Sequence, residues 1–262
     1  AKNGVGLIIP GITRVNDGYS AYSFSQLAMS HDYHIEPMRE FAMRIHRHGA
    51  KLGIQLHHPG RQGESASANV LPMLLPITKN KPEIWEQIFA SVPKLTALGE
   101  LGLSKPKPVM APSVVERVPN GCPMREMKNS EIKELIRDFI AAAARCKQAG
   151  VDLVELHGSH GYLIQQFLSP NTNHRTDEYG GCFDNRMRFV SEIVTGIKEV
   201  CGDDYPLMVR LTVDEMYDRI GKPGKGYGLE EGKRIAKRLE ELGVDAINVS
   251  SASYDAYNYW VE

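Results

Sequence analysis

Gly150-Val151-Asp152-Leu153-Val154-Glu155-Leu156-His157-Gly158-Ser159-His160-Gly161-Tyr162 decides the fold. Ahead of it, Ile132, Leu135, Ile136, Phe139, Ile140 and Ala143 recur at helical spacing, and Gly150 closes that helix. Ser130 is the expected N-cap, with Glu131 and Glu134 in the first turn, where the helix dipole favours negative charge. Val151–His157 is short and apolar, a strand with Glu155 set inside it. Asp184 is then expected to cap a second helix, whose inward face is Met187, Val190, Ile193, Val194 and Ile197, ended by Gly202. A helix, a strand and a helix of crossover length make a parallel unit, because parallel strands need such a connection.

The same alternation extends both ways. Val5–Ile9, Lys51–His57, Pro206–Leu211 and Asp245–Ser250 read as further strands. Asp32–His48 carries a helical stripe of Ile35, Met38, Ala42 and Ile45, and Leu229–Leu242 another of Ile235, Leu239 and Leu242. Ala149-Gly150-Val151-Asp152 and Leu242-Gly243-Val244-Asp245 repeat one helix-to-strand turn, as barrels of βα units do. These strands are too few to close a (β/α)8 barrel. An open doubly wound sheet is the rival, but no GxGxxG turn opens a helix. Residues 61–129 hold more than half of the 15 prolines and part a strand from its helix. So long an insertion is expected to form a lid or substrate wall, with a short helix over Trp85–Leu98. Met124 and the aromatics of 85–89 are assigned to its own small core.

Composition narrows the class. The chain has 262 residues, 42% of them hydrophobic, which suffices for a packed core. Lys and Arg total 31 against 32 Asp and Glu, a net charge of −1, so no basic field points to nucleic acid or to an anionic membrane surface. No apolar run approaches the ~20 residues of a membrane span. Cys122, Cys146, Cys182 and Cys201 show no CxxC spacing, which argues against a structural zinc or iron–sulfur site in this stretch. Nor do they make a disulfide framework, so a reducing cytoplasm is the expected location. A domain that starts and stops at strands also reads as part of something longer.

Parallel strands covered on both faces should be apolar, yet Gln55, Glu155, Arg210 and Asn248 interrupt theirs near the C-terminal ends. Period-two alternation puts Gln55 with His57 and Glu155 with His157. Buried unpaired, each costs several kcal/mol, and Arg210 more, so they must meet one another, water or a polar ligand. A ligand is the expectation for Gln55 and Arg210, because His57, His58, His157 and His160 gather at the rim where barrels hold their chemistry. For Glu155 and Asn248 an internal network is equally open. His31, His34, His46, His48 and His174 read as surface or structural. The rim histidines leave a metal-dependent barrel hydrolase or aldolase as a rival, since imidazole is a common metal ligand.

Ile54-Gln55-Leu56-His57-His58-Pro59-Gly60-Arg61, Val154 to Pro170, Asn173 to Gly181 and Asn185 to Phe189 together resemble the old yellow enzyme family, the NADH:flavin oxidoreductases. The branch most similar is that of the 2-enoate and 2,4-dienoyl-CoA reductases. The resemblance covers most of the chain outside residues 62–108. It implies a (β/α)8 TIM barrel binding FMN, of which strands two to six are present here, with residues 1–262 a partial FMN-binding domain. The iron–sulfur (4Fe-4S) and FAD parts of that branch have no counterpart in this sequence. A catalytically inactive barrel piece is therefore a further alternative.

The resemblance also implies roles. Gln55 stands where a carboxamide pairs with the flavin pyrimidine edge, and Arg210 where a guanidinium lies beside flavin N1 and C2=O. A guanidinium stabilises the anionic reduced ring without losing its proton. Ile12 falls where the backbone passes beneath the flavin, although a smaller residue is usual there. His157 and His160 match the pair that donates hydrogen bonds to a substrate carbonyl oxygen, and Tyr162 matches the proton donor. The implied reaction is ene reduction: NADH or NADPH reduces FMN, and flavin N5 gives hydride to an α,β-unsaturated carbonyl substrate while Tyr162 protonates the α-carbon. A homo-oligomer is open. Arg175, Asp177, Tyr179, Asn185 and Arg186 are expected to brace the loop before a helix, Asp214 and Glu215 to line the rim, and Tyr254 and Tyr257 to lie near substrate or simply pack.

Overall fold

The computed structural model describes residues 1–17, 26–63, 109–115 and 124–253. The expected helix over Trp85–Leu98, the aromatics of 85–89, and Tyr254 and Tyr257 lie outside them. In chain order the strands are β1 (Leu7–Ile8), β2 (Thr13–Arg14), β3 (Leu27–Ala28), β4 (Lys51–His57), β5 (Val109–Ala111), β6 (Met124–Glu126), β7 (Leu153–Gly158), β8 (Leu207–Thr212) and β9 (Ala246–Ser250). The α-helices are α1 (Ile35–His46), α2 (Asn129–Gln148), α3 (Leu163–Leu168), α4 (Phe183–Cys201) and α5 (Leu229–Glu241).

The main sheet is parallel and runs β3-β2-β4-β7-β8-β9, with β1 also paired to β4. This is an arc of the expected barrel, and among the described residues it does not close. Val249 on the outermost strand is 67% exposed in consequence. β1 and β2 are two pieces of one barrel strand. Between the pairs Ile8↔Leu52 and Thr13↔Leu56 the first strand advances 13 − 8 = 5 residues and β4 advances 56 − 52 = 4. The extra residue is a bulge containing Gly11 and Ile12, which bends the chain just before the site-bearing end.

Alternation sorts the strands into two faces. Leu52, Ile54, Leu56, Val154, Leu156, Leu207, Val209 and Leu211 are buried in the main core with Ile132, Leu135, Phe139, Val190, Ile193 and Val194 of the helices. Helix α2 packs on β4 and β7 and against α4. The opposite face carries the polar interruptions. Gln55 and Glu155 are register partners, as are His157 and Arg210, and Arg210 and Asn248. The interruptions expected near the C-terminal strand ends thus fall into two adjacent polar rows across the sheet.

The two Gly-Val-Asp turns do the same work. Asp152 Oδ2 accepts the Leu52 amide at 2.8 Å, and Asp245 Oδ2 accepts the Leu207 amide at 2.7 Å. Each carboxylate satisfies the first free N–H of the preceding strand and also binds a lysine, Lys51 or Lys198, at 2.8 Å. These hydrogen bonds hold the Asp152 and Asp245 carboxyls below the ordinary value, against burial.

Two expected caps shift. The α2 N-cap is Lys128 rather than Ser130, because Glu131 turns back to accept the Lys128 amide at 2.8 Å and so fixes the helix start two residues earlier. That of α4 is Cys182 rather than Asp184, with Asp184 inside the first turn, where its charge favours the dipole. The proline-rich insertion contributes a small parallel sheet, β5 with β6, whose Val109 and Met110 are buried. Arg175 fastens it: Nη1 donates to Pro112 O at 3.0 Å and Met127 O at 2.7 Å, and Nη2 to Asn129 Oδ1 at 2.6 Å and to Asp177 at 2.5 Å. Arg186 donates to Leu168 O at 2.8 Å and Gly181 O at 2.7 Å and pairs with Glu231. Tyr179 donates to Glu192 at 3.0 Å, and Asn185 to Asp177 O at 3.2 Å. The loop is thus the brace that its polar composition suggested.

Candidate active site

The site lies where β4, β7, β8 and β9 end. Its centre is the turn from β7 into α3, carrying His157, His160 and Tyr162. The Tyr162 ring is 4% exposed and stands edge-on to His57 at 4.4 Å between centroids, to His157 at 4.8 Å and to His160 at 6.5 Å. His157 and His160 are 5.1 Å apart, and His57 and His157 5.4 Å. The places of the histidines after two strands and the family resemblance of Tyr162 pointed to these side chains, and the parallel register of β4 with β7 brings them into one cluster.

The turn is strained. His160 has φ +60° and Gly161 φ +76°, two successive left-handed residues. A side chain in that region costs about 1–2 kcal/mol, which the surroundings must offset. His160 N donates to Thr212 Oγ1 at 3.3 Å, and His160 Nε2 meets Ser250 Oγ at 2.9 Å. Gly161 is gripped at both its backbone atoms: its N–H donates to Gln165 Oε1 at 2.6 Å, and its carbonyl accepts Gln166 Nε2 at 2.6 Å. Sequence reading missed Gln165 and Gln166. The available signal was two adjacent amides inside the otherwise apolar run Leu163–Leu168, all of it buried.

The imidazoles are neutral. Burial, with His160 and Arg210 nearby, pushes His157 down to about 3, and burial and Arg210 push His160 down to about 4. Burial holds His58 at about 3, and burial with two neighbouring imidazoles holds His57 well below its usual value. Ser159 N donates to His157 Nδ1 at 3.3 Å. An acceptor at Nδ1 puts the proton of neutral His157 on Nε2, which becomes a donor.

On the adjoining strands Gln55 Nε2 donates to Glu155 Oε1 at 2.5 Å, and Asn248 Nδ2 to Glu155 Oε2 at 2.9 Å. Glu155 is 1% exposed and belongs to an interior network, the reading left open for it and Asn248. Gln55 is tied to the same carboxylate through its nitrogen. Arg210 is half-buried on the same face, and its Nε is a buried donor with no protein partner. Both ring nitrogens of His57 and Nε2 of His58 are likewise buried and unpartnered. Such orphans in the interior cost free energy unless a ligand completes them. Ile12, half-buried, lies in the bulge between β1 and β2. Asp214 is half-buried just beyond β8, and Glu215, expected with it at the rim, is 1% exposed. No group of three or more His, Cys, Asp or Glu among the described residues is disposed to hold a metal ion, and none of their helices is long and apolar enough to cross a membrane.

An arc of parallel βα units with histidines, a tyrosine and an arginine with an unpartnered Nε on its C-terminal rim is the layout of part of a (β/α)8 barrel with a candidate site at its mouth. The chain belongs to the NADH:flavin oxidoreductase / NADH oxidase family, which it matches over residues 1–258. It is 40% identical to an NADH oxidase of Thermoanaerobacter brockii over 256 residues, 98% of this chain and 33% of that one. It is 32% identical to a cinnamate reductase of Clostridium sporogenes over 276 aligned positions, 99% of this chain and 36% of that one. A solved 2-naphthoyl-CoA reductase in complex with 2-naphthoyl-CoA superposes with a TM-score of 0.76 at 28% identity, covering 97% of this chain and 34% of that one. The chain thus spans about a third of the length of each of these relatives. The resemblance to the old yellow enzymes and the partial barrel are both borne out.

Proposed function

We propose that this chain is part of an FMN-dependent oxidoreductase that uses NADH or NADPH to reduce the C=C bond of small α,β-unsaturated carbonyl compounds. What carries the reading is the joint position of Tyr162, His157 and His160 beside a face that holds Arg210 with an orphaned Nε. The family membership and the relatives named for NADH oxidation and cinnamate reduction support it.

The residues fit the cofactor. Arg210 would hold FMN through a donor that the protein leaves unsatisfied, and its permanent charge suits an anionic reduced ring. Gln55, its nitrogen engaged by Glu155, would offer its carbonyl oxygen to an imide N–H. Ile12 would approach through its backbone at the bulge. When bound, FMN supplies two-electron carriage between the nicotinamide and the alkene.

The chain's own side chains would do the rest. His157 Nε2–H and His160 would donate to the substrate carbonyl oxygen. As neutral donors they stabilise the charge that develops there without neutralising it beforehand. The Tyr162 hydroxyl would hold the proton destined for the α-carbon. Burial of the cluster keeps water from competing for that proton.

The test uses the complete parent protein. Purified and reconstituted with FMN, it should be yellow, bleach anaerobically with NADH or NADPH, and recover colour on adding cinnamate or a simple enone. Failure to retain any flavin overturns the proposal, and bleaching without reoxidation by any alkene overturns its ene-reductase part.

A further inference from the structure

We propose that Glu215 is a positioning residue for the His160–Tyr162 turn, acting through the Gln165 carboxamide. The inference rests on the functional reading above for the roles of His160 and Tyr162, and on independent geometry for the link.

Glu215 sits just beyond β8, 1% exposed, against Gln165 of α3 and Ser169 just after it. Its Oε1 accepts Gln165 Nε2 at 3.2 Å. Its Oε2 accepts Ser169 Oγ at 2.7 Å and the Tyr227 amide at 2.8 Å. The Gly226 backbone has φ +69°, and a Cβ there would lie 2.2 Å from Glu215 Oε2, so a glycine is needed for the loop to close over the carboxylate.

Both polar atoms of the Gln165 carboxamide are engaged. Its nitrogen is held by Glu215, and its oxygen takes both the Gly161 amide at 2.6 Å and Thr212 Oγ1 at 3.1 Å. Thr212 Oγ1 is in turn the acceptor for His160 N. Glu215 therefore fixes which way the Gln165 amide points, and that orientation sets an acceptor against the strained turn. Flipped, Gln165 would present a donor to the Gly161 N–H, and the left-handed pair His160–Gly161 would lose a main support. His160 and Tyr162 flank that glycine directly.

Every partner facing Glu215 donates a hydrogen bond, which suits the ionised carboxylate. Arg61 of the turn after β4 is the charged group near it and favours ionisation, while complete burial opposes it more strongly, leaving Glu215 at about 7. Tyr227, the other titratable group in contact, stays protonated because burial raises it well above its usual value. Protonated Glu215 would bring an O–H into a ring of donors, where Ser169 Oγ is the one partner able to accept. The hold on Gln165 weakens accordingly below neutrality.

The test compares wild type, Glu215→Gln and Gln165→Met in the complete, flavin-loaded protein. The two half-reactions are measured across pH 5.5 to 8.5, and amide exchange protection of the 159–165 segment is measured without substrate. In wild type the alkene half-reaction should fall below about pH 7 while flavin reduction by nicotinamide stays level. Glu215→Gln should be at least tenfold slower in the alkene half-reaction at pH 8, lose that pH limb, and expose the Gly161 amide to exchange at least tenfold faster. Gln165→Met should reproduce the loss, and the double variant should be no worse than Gln165→Met alone. The proposal is overturned by a Glu215→Gln enzyme whose pH limb persists, or by unchanged exchange protection. Should Glu215→Gln fail to fold, the wild-type exchange profile across pH 7 and Gln165→Met decide the matter. If no alkene is reduced by any form, the exchange data still judge the clamp, and the failure belongs to the functional reading.

Discussion

Gln55 and Glu155 are register partners on β4 and β7, and Gln55 Nε2 donates to Glu155 Oε1 at 2.5 Å. The other carboxylate oxygen reaches past β8 to accept Asn248 Nδ2 at 2.9 Å. One buried carboxylate thereby ties three strands of the arc and turns Gln55 so that its carbonyl oxygen is the atom left for a ligand. Glu155→Leu removes the acceptor from two amide donors. Each buried donor left unpaired costs about 1–3 kcal/mol, so the variant should lose roughly 2–6 kcal/mol in urea denaturation. It should also retain less FMN. A full-length Glu155→Leu as stable as wild type, with FMN affinity intact, would remove the network from the explanation of the fold.

Tyr162 and His157 separate chemistry from packing. Tyr162→Phe keeps the ring that abuts His57 and His157 and removes the hydroxyl. The alkene half-reaction should slow by about 10²-fold or more, while flavin reduction by nicotinamide stays nearly intact. Equal losses in both half-reactions would make Tyr162 structural. His157→Ala should weaken binding of phenols, read as the spectral shift of bound flavin. Unchanged phenol affinity would deny His157 the carbonyl-binding role.

Much of this was legible in the sequence because hydrophobic period and glycine stops are local signals. Lys51–His57 was read with both ends correct, since Gly49 and the alternation from Leu52 bound it on the chain itself. The caps at Lys128 and Cys182 were not, because they are set by where a side chain turns back, as Glu131 does to the Lys128 amide. The rim cluster of His57, His157, His160 and Tyr162 was readable from strand ends and motif. The hold of Glu215 on Gln165 was not, as it joins residues fifty positions apart through the β8-to-α5 connection. Ile12 could be placed by position, but the bulge that carries it emerges only from the register with β4.

Stability should fall in acid well before the carboxylates of ordinary pairs protonate. His57, His58 and His157 are buried and neutral, with folded values depressed from 6.5, to about 3 for His58 and His157. The unfolded chain binds their protons below pH 6.5 while the folded one does not, so their contribution is full above 6.5 and is lost as pH falls from there. Each contributes a slope of at most about 1.4 kcal/mol per pH unit. His160 adds less, because its partial exposure lets solvent screen the charge. Glu215 opposes them: its folded value of about 7 lies above the unfolded 4.5, so its contribution is full below 4.5 and is lost as pH rises to 7. The histidines prevail by number. Urea midpoints should drop between pH 7 and pH 5, and His58→Asn should flatten the decline. A midpoint level or rising over that range would contradict buried neutral imidazoles.

Arg175 offers a test of the brace that is independent of any cofactor. Its side chain is 4% exposed and serves Pro112 O, Met127 O, Asn129 Oδ1 and the Asp177 carboxylate together. The two carbonyls belong to the chain just beyond β5 and β6, so one guanidinium secures the small sheet and the start of α2 to the loop after α3. Breaking a buried charged pair by removing one partner costs about 3–5 kcal/mol, and Arg175→Met should lose that much in urea denaturation. Arg175→Lys should recover little, because a single ammonium cannot span acceptors arranged for a planar fork. Hydrogen exchange would locate the effect: in both variants the amides of 109–113 and of 127–131 should lose protection, while those of β7 and β8 hold theirs. Uniform loss across all four segments would mean that Arg175 supports the arc as a whole, and full rescue by lysine would mean that its charge alone matters.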